Sequence, residues 1–446
     1  AFQLVAPTPP ASVPERGPQP SPPAMVSGAA GPAVRGDVFS GRAASTRVRA
    51  PRLETAVVID GVLDEAAWAS AAVLTGFTSY NPVDGRPAQD STEVRIWYAP
   101  DAIHVGVRAW APAGTVRATL AERDRISNDD WVAIHFDTFD DRRRSFVFGV
   151  NALGVQADGM RSDQSAGPGV SRASLNAVDL TQDYIWQSKG RLLEDGFEVE
   201  LRIPFKSIRY QAASVQRWGL QVIRQVQRTG FQETWAPVSR ANQAFAVQAG
   251  YLEGLRDLKR GLVLDLTPTT TAFVDGRRAD GDLGNPLRYG TRQQIGGDLR
   301  WGVTSNFTLN ATANPDFSQV EPDVGQIPGD VRFALFFPEL RPFFVEGSEQ
   351  FDAPNRLVYT RRIQQPVAAA KLTGKIPRTD VGLLMAVDNA SASRDGTTNP
   401  FFTILRLRRD LGTQSTAGLV YTDRVEGSRF NRVGGFDTRI QFNRVY

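Results

Sequence analysis

Three tryptophans stand where short runs alternate between apolar and polar residues, and each shares its face with cations or histidine. Trp97 lies two residues after Arg95, Trp110 two residues after Arg108, and Trp131 four residues before His135. His104 falls on the same alternating face as Arg108 and Trp110. An indole ring binds sugar because the apolar C–H face of a pyranose stacks on it, while neighbouring polar groups take the hydroxyls. Trp97, Trp110, Trp131, Arg95, Arg108 and His135 are therefore the candidate ligand-binding set. The competing reading packs these indoles beneath a loop, or against Trp186 or Trp235, because tryptophan is usually largely buried.

Other chemistry is less well served. Asp124, Asp129, Asp130, Asp137, Asp140 and Asp141 cluster in sequence, and hard cations take several carboxylate oxygens, so a Ca²⁺ site is one expectation. The spacing of a calcium loop is absent, and Arg142, Arg143 and Arg144 follow at once, which favours a salt-bridge cluster. No residue is assigned as a metal ligand and no cofactor is expected. Glycoside hydrolysis needs two carboxyl groups across a cleft, and Glu198 and Glu200 share a strand face. That pattern more often marks a solvated strand, so no catalytic residue is assigned and a non-catalytic protein is expected. With no cysteine and two histidines, thiolate sites and multi-histidine centres are excluded. Lys and Arg total 51 against 48 Asp and Glu, interleaved rather than clustered, which argues against a nucleic-acid partner.

These residues need a scaffold. In a chain of 446 residues two or three units are expected. Residues 1–50 are rich in Pro, Ala, Gly and Ser, with nine prolines in the first 34 positions, and read as a disordered leader. Residues 51–256 carry short strand-like runs at Glu93–Tyr98, Ala102–Trp110, Asp130–Asp137, Ser145–Asn151, Gly196–Ile203 and Trp218–Gln227. Strands so spaced, without long helical patterns between them, indicate a β-sandwich. Alternation assigns Val94, Ile96 and Tyr98, then Ile103, Val105, Val107 and Ala109, then Val132, Ile134 and Phe136 to the core. The Ala-rich run Leu63–Ala72 around Trp68 reads as one or two helical turns.

Residues 257–446 change texture. Longer runs occur at Leu262–Val274, Gln293–Val303, Asn306–Asn314, Ala368–Ile376, Asp380–Asn389, Phe401–Arg409, Gly418–Val425 and Arg439–Tyr446. Each tends to one apolar and one polar face, as in a barrel whose outside meets lipid and whose inside meets water. No 18-residue uncharged apolar stretch exists, so a transmembrane helix is not expected. The mean hydropathy of −0.28 suits a barrel with a polar lumen as well as a soluble protein. Seven to nine strands are counted, and bacterial barrels close with even and often larger numbers, so the barrel is expected to be incomplete.

Two stretches carry resemblances. Ile59-Asp60-Gly61-Val62-Leu63-Asp64-Glu65-Ala66-Ala67-Trp68, followed by Glu93–Tyr98, Asp101–Arg108 and Asn128–Asp137, resembles the start and early strands of family 9 carbohydrate-binding modules. Asn314-Pro315-Asp316-Phe317-Ser318-Gln319-Val320-Glu321 and the run Phe336–Gly347 resemble a bacterial family of unknown function. In that family a family-9-like module precedes an outer-membrane β-barrel. The resemblances imply an all-β protein: a carbohydrate-binding-like β-sandwich followed by an outer-membrane barrel region. The partners implied are a glycan or polysaccharide and outer-membrane lipid, with envelope proteins as further candidates. The module would lie in the periplasm or at the surface. Two alternatives stand beside glycan binding: a structural, assembly or transport barrel with a partner-docking module, and a glycoside-hydrolase-associated protein of carbohydrate catabolism.

Within the barrel region, Asn314–Glu321 is too polar for a lipid-facing strand and is expected to fold inward as a constriction. Phe336–Phe344 would anchor it to the wall, with Glu339, Arg341 and Glu346 paired inside; the alternative is an interfacial aromatic girdle.

Overall fold

The computed structural model describes residues 36–446 apart from 163–170, 243, 279–285, 318–336, 355–356, 413–414 and 441–446. Among the described residues the chain forms three sheets. The first runs, in spatial order, β1 (Val38–Ser40), β3 (Ala72–Thr75), β5 (Thr92–Tyr98), β6 (Ala102–Trp110), β11 (Gly196–Pro204) and β10 (Gln187–Leu193). The second runs β2 (Arg47–Val48), β14 (Gly250–Arg256), β12 (Val215–Val226), β7 (Trp131–Asp137), β8 (Arg144–Asn151) and β9 (Gln156–Ser162). On its flank β13 (Phe231–Thr234) pairs with β12, and β4 (Thr78–Asn81) pairs with β13.

The inward faces of these two sheets form one core. Val94, Ile96, Val105 and Val107 of the first sheet pack with Val132, Ile134, Phe136, Leu220 and Val222 of the second. Alternation in the sequence thus gives the buried set correctly, since side chains on successive strand residues point to opposite faces. The expected leader boundary at residue 50 is too late. Val38–Ser40 pairs in parallel with β3, and Arg47–Val48 pairs in parallel with β14, so these residues belong to the sandwich. At three and two residues these strands are too short to show alternation in the sequence. The remainder of the expected leader, residues 1–35, lies outside the described residues.

The signature around Ile59–Trp68 is a latch. Helix α1 (Ala66–Ser70) lays Trp68 over the outer face of the first sheet, where Gly106 leaves space. A Cβ at Gly106 would stand 2.6 Å from Leu63 Cδ2 and 3.0 Å from the Trp68 ring. Gly61 takes a φ of +90°, which glycine tolerates without strain. The amides of Asp60 and Gly61 each donate to Glu200 Oε2 at 2.8 Å, and the Trp68 indole N–H donates to Glu200 Oε1 at 3.0 Å.

The third sheet is an antiparallel meander of β15 (Leu264–Arg278), β16 (Leu287–Trp301), β17 (Phe307–Ala313), β18 (Pro366–Ile376), β19 (Thr379–Asp388), β20 (Phe401–Leu411), β21 (Ser415–Glu426) and β22 (Arg429–Arg439). It is open among the described residues: β15 and β22 are its two edges, and no pairing joins them. These strands therefore do not close into a barrel among the described residues, in keeping with the incomplete barrel region expected from the sequence but not showing a barrel. The last strand also differs from expectation. It is Arg429–Arg439, paired along its length with β21, whereas Gln441–Tyr446 of the expected Arg439–Tyr446 strand lies outside the described residues. Gly434 and Gly435 dilute the apolar alternation of β22, so this run carries little strand signal in the sequence.

One face of this sheet is covered. Helix α2 (Pro342–Val345) and the turn Ser348–Phe351 place Phe343, Phe344 and Phe351 against Ala369, Leu384, Ala386, Phe402 and Ile404. Of the run Phe336–Phe344, Phe343 and Phe344 thus pack against the sheet as an anchor would. Glu339 pairs with Arg341 at 2.7 Å and Glu346 with Arg300 at 2.8 Å. Of the expected constriction Asn314–Glu321, only Asn314–Phe317 is described; Phe317 packs on the same cluster. Among the described residues no helix is long and apolar enough to cross a membrane.

Candidate functional site

The sequence reading grouped three tryptophans, but the fold separates them. Trp97 and Trp110 lie on the outer face of the first sheet, Trp131 and His135 on the outer face of the second. Trp97 is fully buried under the latch. It stacks on His104 with ring centroids 3.9 Å apart and meets the edge of Trp68 at 6.0 Å. Trp131 is 1% exposed and packs with Ile126, Ala173, Leu175, Val238 and Phe245. These two indoles are covered by segments remote in sequence, so the expected platform of three rings is not assembled.

His135 is buried beside Trp131, with Nδ1 3.3 Å from Ser145 Oγ. Burial holds its pKa well below the usual histidine value, and the charge of Arg161 adds to this. His104 is pushed down to about 4, first by burial and then by Arg202. Both imidazoles are therefore neutral at neutral pH.

Trp110 alone of the trio is partly exposed, and it lines an open cleft of about 600 Å³ with Phe77, Asp90, Ser91, Glu93 and Arg42. One side of its ring is occupied by Arg108, whose guanidinium lies 4.7 Å from the ring centroid. Arg108 is held in turn by Asp195 at 2.5 Å and by Glu198 at 3.7 Å. Arg95 contributes indirectly, pairing with Glu93 at 2.6 Å. Hence Trp110, Arg108 and Arg95 are brought together, while Trp97, Trp131 and His135 are not.

The cleft rests on a buried polar floor. Arg224, wholly buried, donates to the Ser91 carbonyl at 2.9 Å, to Thr92 Oγ1 at 2.8 Å and to the Trp110 carbonyl at 2.6 Å. One guanidinium thus ties the start of β5 to the end of β6. Glu233 lies nearby and accepts from the Gln89 amide at 3.3 Å. Burial pushes its carboxyl up to about 7, against the opposing pull of Arg224. Asp90 is bound by Arg228 at 2.9 Å.

Phe77, Asp90, Ser91, Glu93 and Arg42 were absent from the sequence-derived set. Glu93 had a signal, since it shares a strand face with Arg95, and the register places it opposite Arg108. Asp90, Ser91 and Arg42 sit outside regular strands, and nothing in their spacing points to the cleft.

The carboxylates considered for hydrolysis are engaged elsewhere. Glu200 is the acceptor of the latch, and Glu198 binds Arg191 at 2.8 Å. The acidic cluster is likewise dispersed. Asp129 accepts from Thr119 and Asn151, Asp130 from the amides of Arg117 and Gln227, and Asp137 from the amide of Arg142. No group of three or more acidic or histidine residues is placed to hold a metal ion among the described residues.

Instead, Asp141, Arg143 and Arg144 face the third sheet. Asp141 pairs with Lys375 at 2.6 Å, Arg143 with Asp410 at 2.8 Å and Arg144 with Asp380 at 2.5 Å. Arg209 adds a bond to Glu349 at 2.9 Å. The salt-bridge reading of this acidic and basic run holds, and its partners lie more than two hundred residues downstream.

Fold and cleft together define an all-β protein, a two-sheet sandwich joined by buried ion pairs to a third, amphipathic sheet. Residues 262–379 match the model of a family described as a domain of unknown function, DUF5916. Among solved structures, the chain is similar to a family 9 carbohydrate-binding module from Caldicellulosiruptor kristjanssonii in complex with cellotriose. The identity is 16% and the TM-score 0.33, over 47% of this chain and 95% of that one. The module in complex with glucose gives 16% and 0.33 over 48% and 100%. A Bacteroides uniformis protein proposed to bind carbohydrate gives 14% and 0.34 over 47% and 98%. No curated protein matches the chain.

Proposed function

We propose that this chain is a non-catalytic outer-membrane β-protein whose third sheet faces lipid and whose sandwich binds saccharide in the Trp110 cleft. The observation that carries the membrane reading is the uncovered face of the third sheet. From register, this face presents Leu264 and Leu266, Ile295 and Leu299, Leu309 and Ala311, Ala370 and Leu372, Leu383 and Met385, Leu405 and Leu407, and Leu419 and Phe436. Leu266, Ile295 and Phe436 are 68%, 76% and 74% exposed. The opposite face carries Thr308, Asn310, Lys371, Lys375, Asp380 and Arg406, all buried. Water would penalise so broad an apolar surface, whereas hydrocarbon would not.

The charges on the outer face lie toward its margins: Arg409 near the β20 end, and the Asp423–Arg432 pair at 3.2 Å toward the other. Aromatic side chains also stand near both margins, Trp301 and Phe307 at one and Tyr289, Phe401 and Phe430 at the other. An apolar band with aromatic borders supports this reading, since membrane strand assemblies carry such a band roughly 25 Å tall.

The saccharide reading rests on the cleft. Trp110 offers a ring edge, Asp90 and Glu93 offer acceptors for sugar hydroxyls, and Ser91 and Arg42 offer donors. Relatives in fold with bound cellotriose and glucose make a glucan the first ligand to try. The test has two arms on the full chain. Membrane insertion is read by carbonate-resistant sedimentation and co-flotation with outer-membrane vesicles. Saccharide binding is read by calorimetry with cello-oligosaccharides and a glycan array, comparing the native chain with Trp110→Ala. Recovery in the soluble fraction would remove the membrane reading. An absence of binding by a well-folded chain would remove the saccharide reading and favour a docking or structural role.

A further inference from the structure

We infer that the sandwich lies on the periplasmic side of the membrane, seated against the end of the third sheet that carries only short turns. This rests on the membrane reading above. Because the strands form a meander, successive connections alternate between the sheet's two ends. At one end they are residues 302–306, 377–378 and 412–414. At the other they are 279–286, 314–365, 389–400 and the tight turn 427–428. Outer-membrane strand assemblies keep short turns in the periplasm and longer loops outside. The end with only short turns is therefore the periplasmic one.

The sandwich meets that end; its Arg209 bonds both Thr373 of β18 at 3.2 Å and Glu349, which the 314–365 connection carries back along the covered face. The Tyr210 amide donates to the Ser305 carbonyl at 3.1 Å, and Arg260 donates to the Thr304 carbonyl. Arg143 reaches the Ser415 carbonyl at 2.5 Å. Lys375, Asp380 and Asp410, the ion-pair partners of the sandwich, all lie within a few residues of the 377–378 and 412–414 turns. β15 also starts at this end, directly after the last sandwich strand. Connection length thus assigns the end to the periplasm, and the docking contacts assign the sandwich to that end. The Trp110 cleft then samples saccharide in the periplasm rather than outside the cell.

The chain contains no cysteine, so a single introduced thiol reports one position. Leu120→Cys places it on an exposed part of the sandwich, and Thr397→Cys on an exposed part of the 389–400 connection. Each full-length variant is exported in a Gram-negative host and treated with a membrane-impermeant maleimide, before and after outer-membrane permeabilisation. The expected result is labelling of Thr397→Cys in intact cells and of Leu120→Cys only after permeabilisation. Labelling of Leu120→Cys in intact cells, or failure to label Thr397→Cys in them, would overturn the orientation. Parallel fractionation separates the two ideas: variants that sediment with the outer membrane but label in the reverse order reject the orientation alone. Variants that stay soluble reject both.

Discussion

Asp141 Oδ2 lies 2.6 Å from Lys375 Nζ, and this contact joins the turn after β7 to the third sheet. Lys375 also binds Asp410 at 2.8 Å, and Asp380 is shared between Arg144 and Arg408. Charges of opposite sign therefore alternate through the junction, and each buried carboxylate has a cation. Removing one partner of such a group leaves its neighbours buried and uncompensated, which costs about 3–5 kcal/mol. Lys375→Met is expected to lower the denaturation midpoint and to expose the connection between sandwich and sheet to limited proteolysis. Changing Asp141 to Leu in the same chain should restore part of the loss. An unchanged midpoint in Lys375→Met would show that the junction is held by other contacts.

Glu200 predicts a different kind of loss. Its carboxylate takes three donors, from Asp60, Gly61 and Trp68. Glu200→Ala strands them beneath the latch and should cost at least about 2 kcal/mol, since an unsatisfied buried donor costs about 1–3 kcal/mol. Glu200→Gln keeps one acceptor oxygen and should cost less. Urea unfolding followed by tryptophan emission checks both, because Trp68 lies in the latch and Trp97 directly beneath it. Equal stability of Glu200→Ala and the native chain would discard the latch.

What the sequence made legible was the local pattern. The alternation of Val132, Ile134 and Phe136 against Trp131, Ala133 and His135 divides β7 into two faces, and the core takes the first. The pattern cannot say what lies on the other face. Trp131 is covered by Ala173, Leu175 and Phe245, and Trp97 by the latch, all brought there by tertiary contacts. Nor does alternation say which sheet a strand joins: β6 and β7 are neighbours in sequence but belong to different sheets. That is why the three indoles looked like one platform. Arg143 and Arg144 show the same limit. Their neutralising role was visible from the adjacent acids, but Asp380 and Asp410 could be identified as partners only from the fold.

The three tryptophans should now separate in experiment. Trp97→Ala and Trp131→Ala open large cavities in packed regions and are expected to cost about 3–5 kcal/mol. Trp110→Ala removes a partly exposed ring and should leave the melting temperature within a few degrees of native. If saccharide binds in the cleft, that variant loses affinity by roughly tenfold or more, as for an aromatic anchor worth more than 1 kcal/mol. Parallel calorimetry and thermal unfolding check the division. Full affinity retained by Trp110→Ala would move the ligand away from this cleft.

The two faces of β20 should respond oppositely to charge. Leu405 lies on the uncovered face, whereas Arg406 is buried opposite it and binds Asp437 at 2.5 Å. An arginine facing lipid near mid-membrane costs about 2–4 kcal/mol. Leu405→Arg should thus reduce insertion into vesicles by that amount. Leu405→Phe, which keeps the face apolar, should insert like the native chain. Equal insertion of Leu405→Arg and Leu405→Phe would mean that this face does not meet hydrocarbon.

Glu233 gives the pH dependence a definite sign. Its carboxyl is raised from 4.5 to about 7, chiefly by burial. Between those values the folded chain keeps a proton that the unfolded chain has released. The unfolding free energy therefore falls as pH rises through this window, and above about 7 the buried group is charged at the expense of stability. The full effect is on the order of 3 kcal/mol for a gap of this size. Asp137 adds to the same slope, its carboxyl being pushed up to about 7 by burial and by Asp141. Asp141 itself is held below the ordinary carboxylate value by Lys375 and Arg144, against the effect of burial, so its contribution is lost only at more acid pH. Glu233→Gln has no proton to release, so its denaturation midpoint should vary less between pH 5 and pH 8 than that of the native chain, as should that of Asp137→Asn. A native slope retained in Glu233→Gln would mean that this carboxyl is ionised in the folded chain throughout, with Arg224 fully compensating its burial.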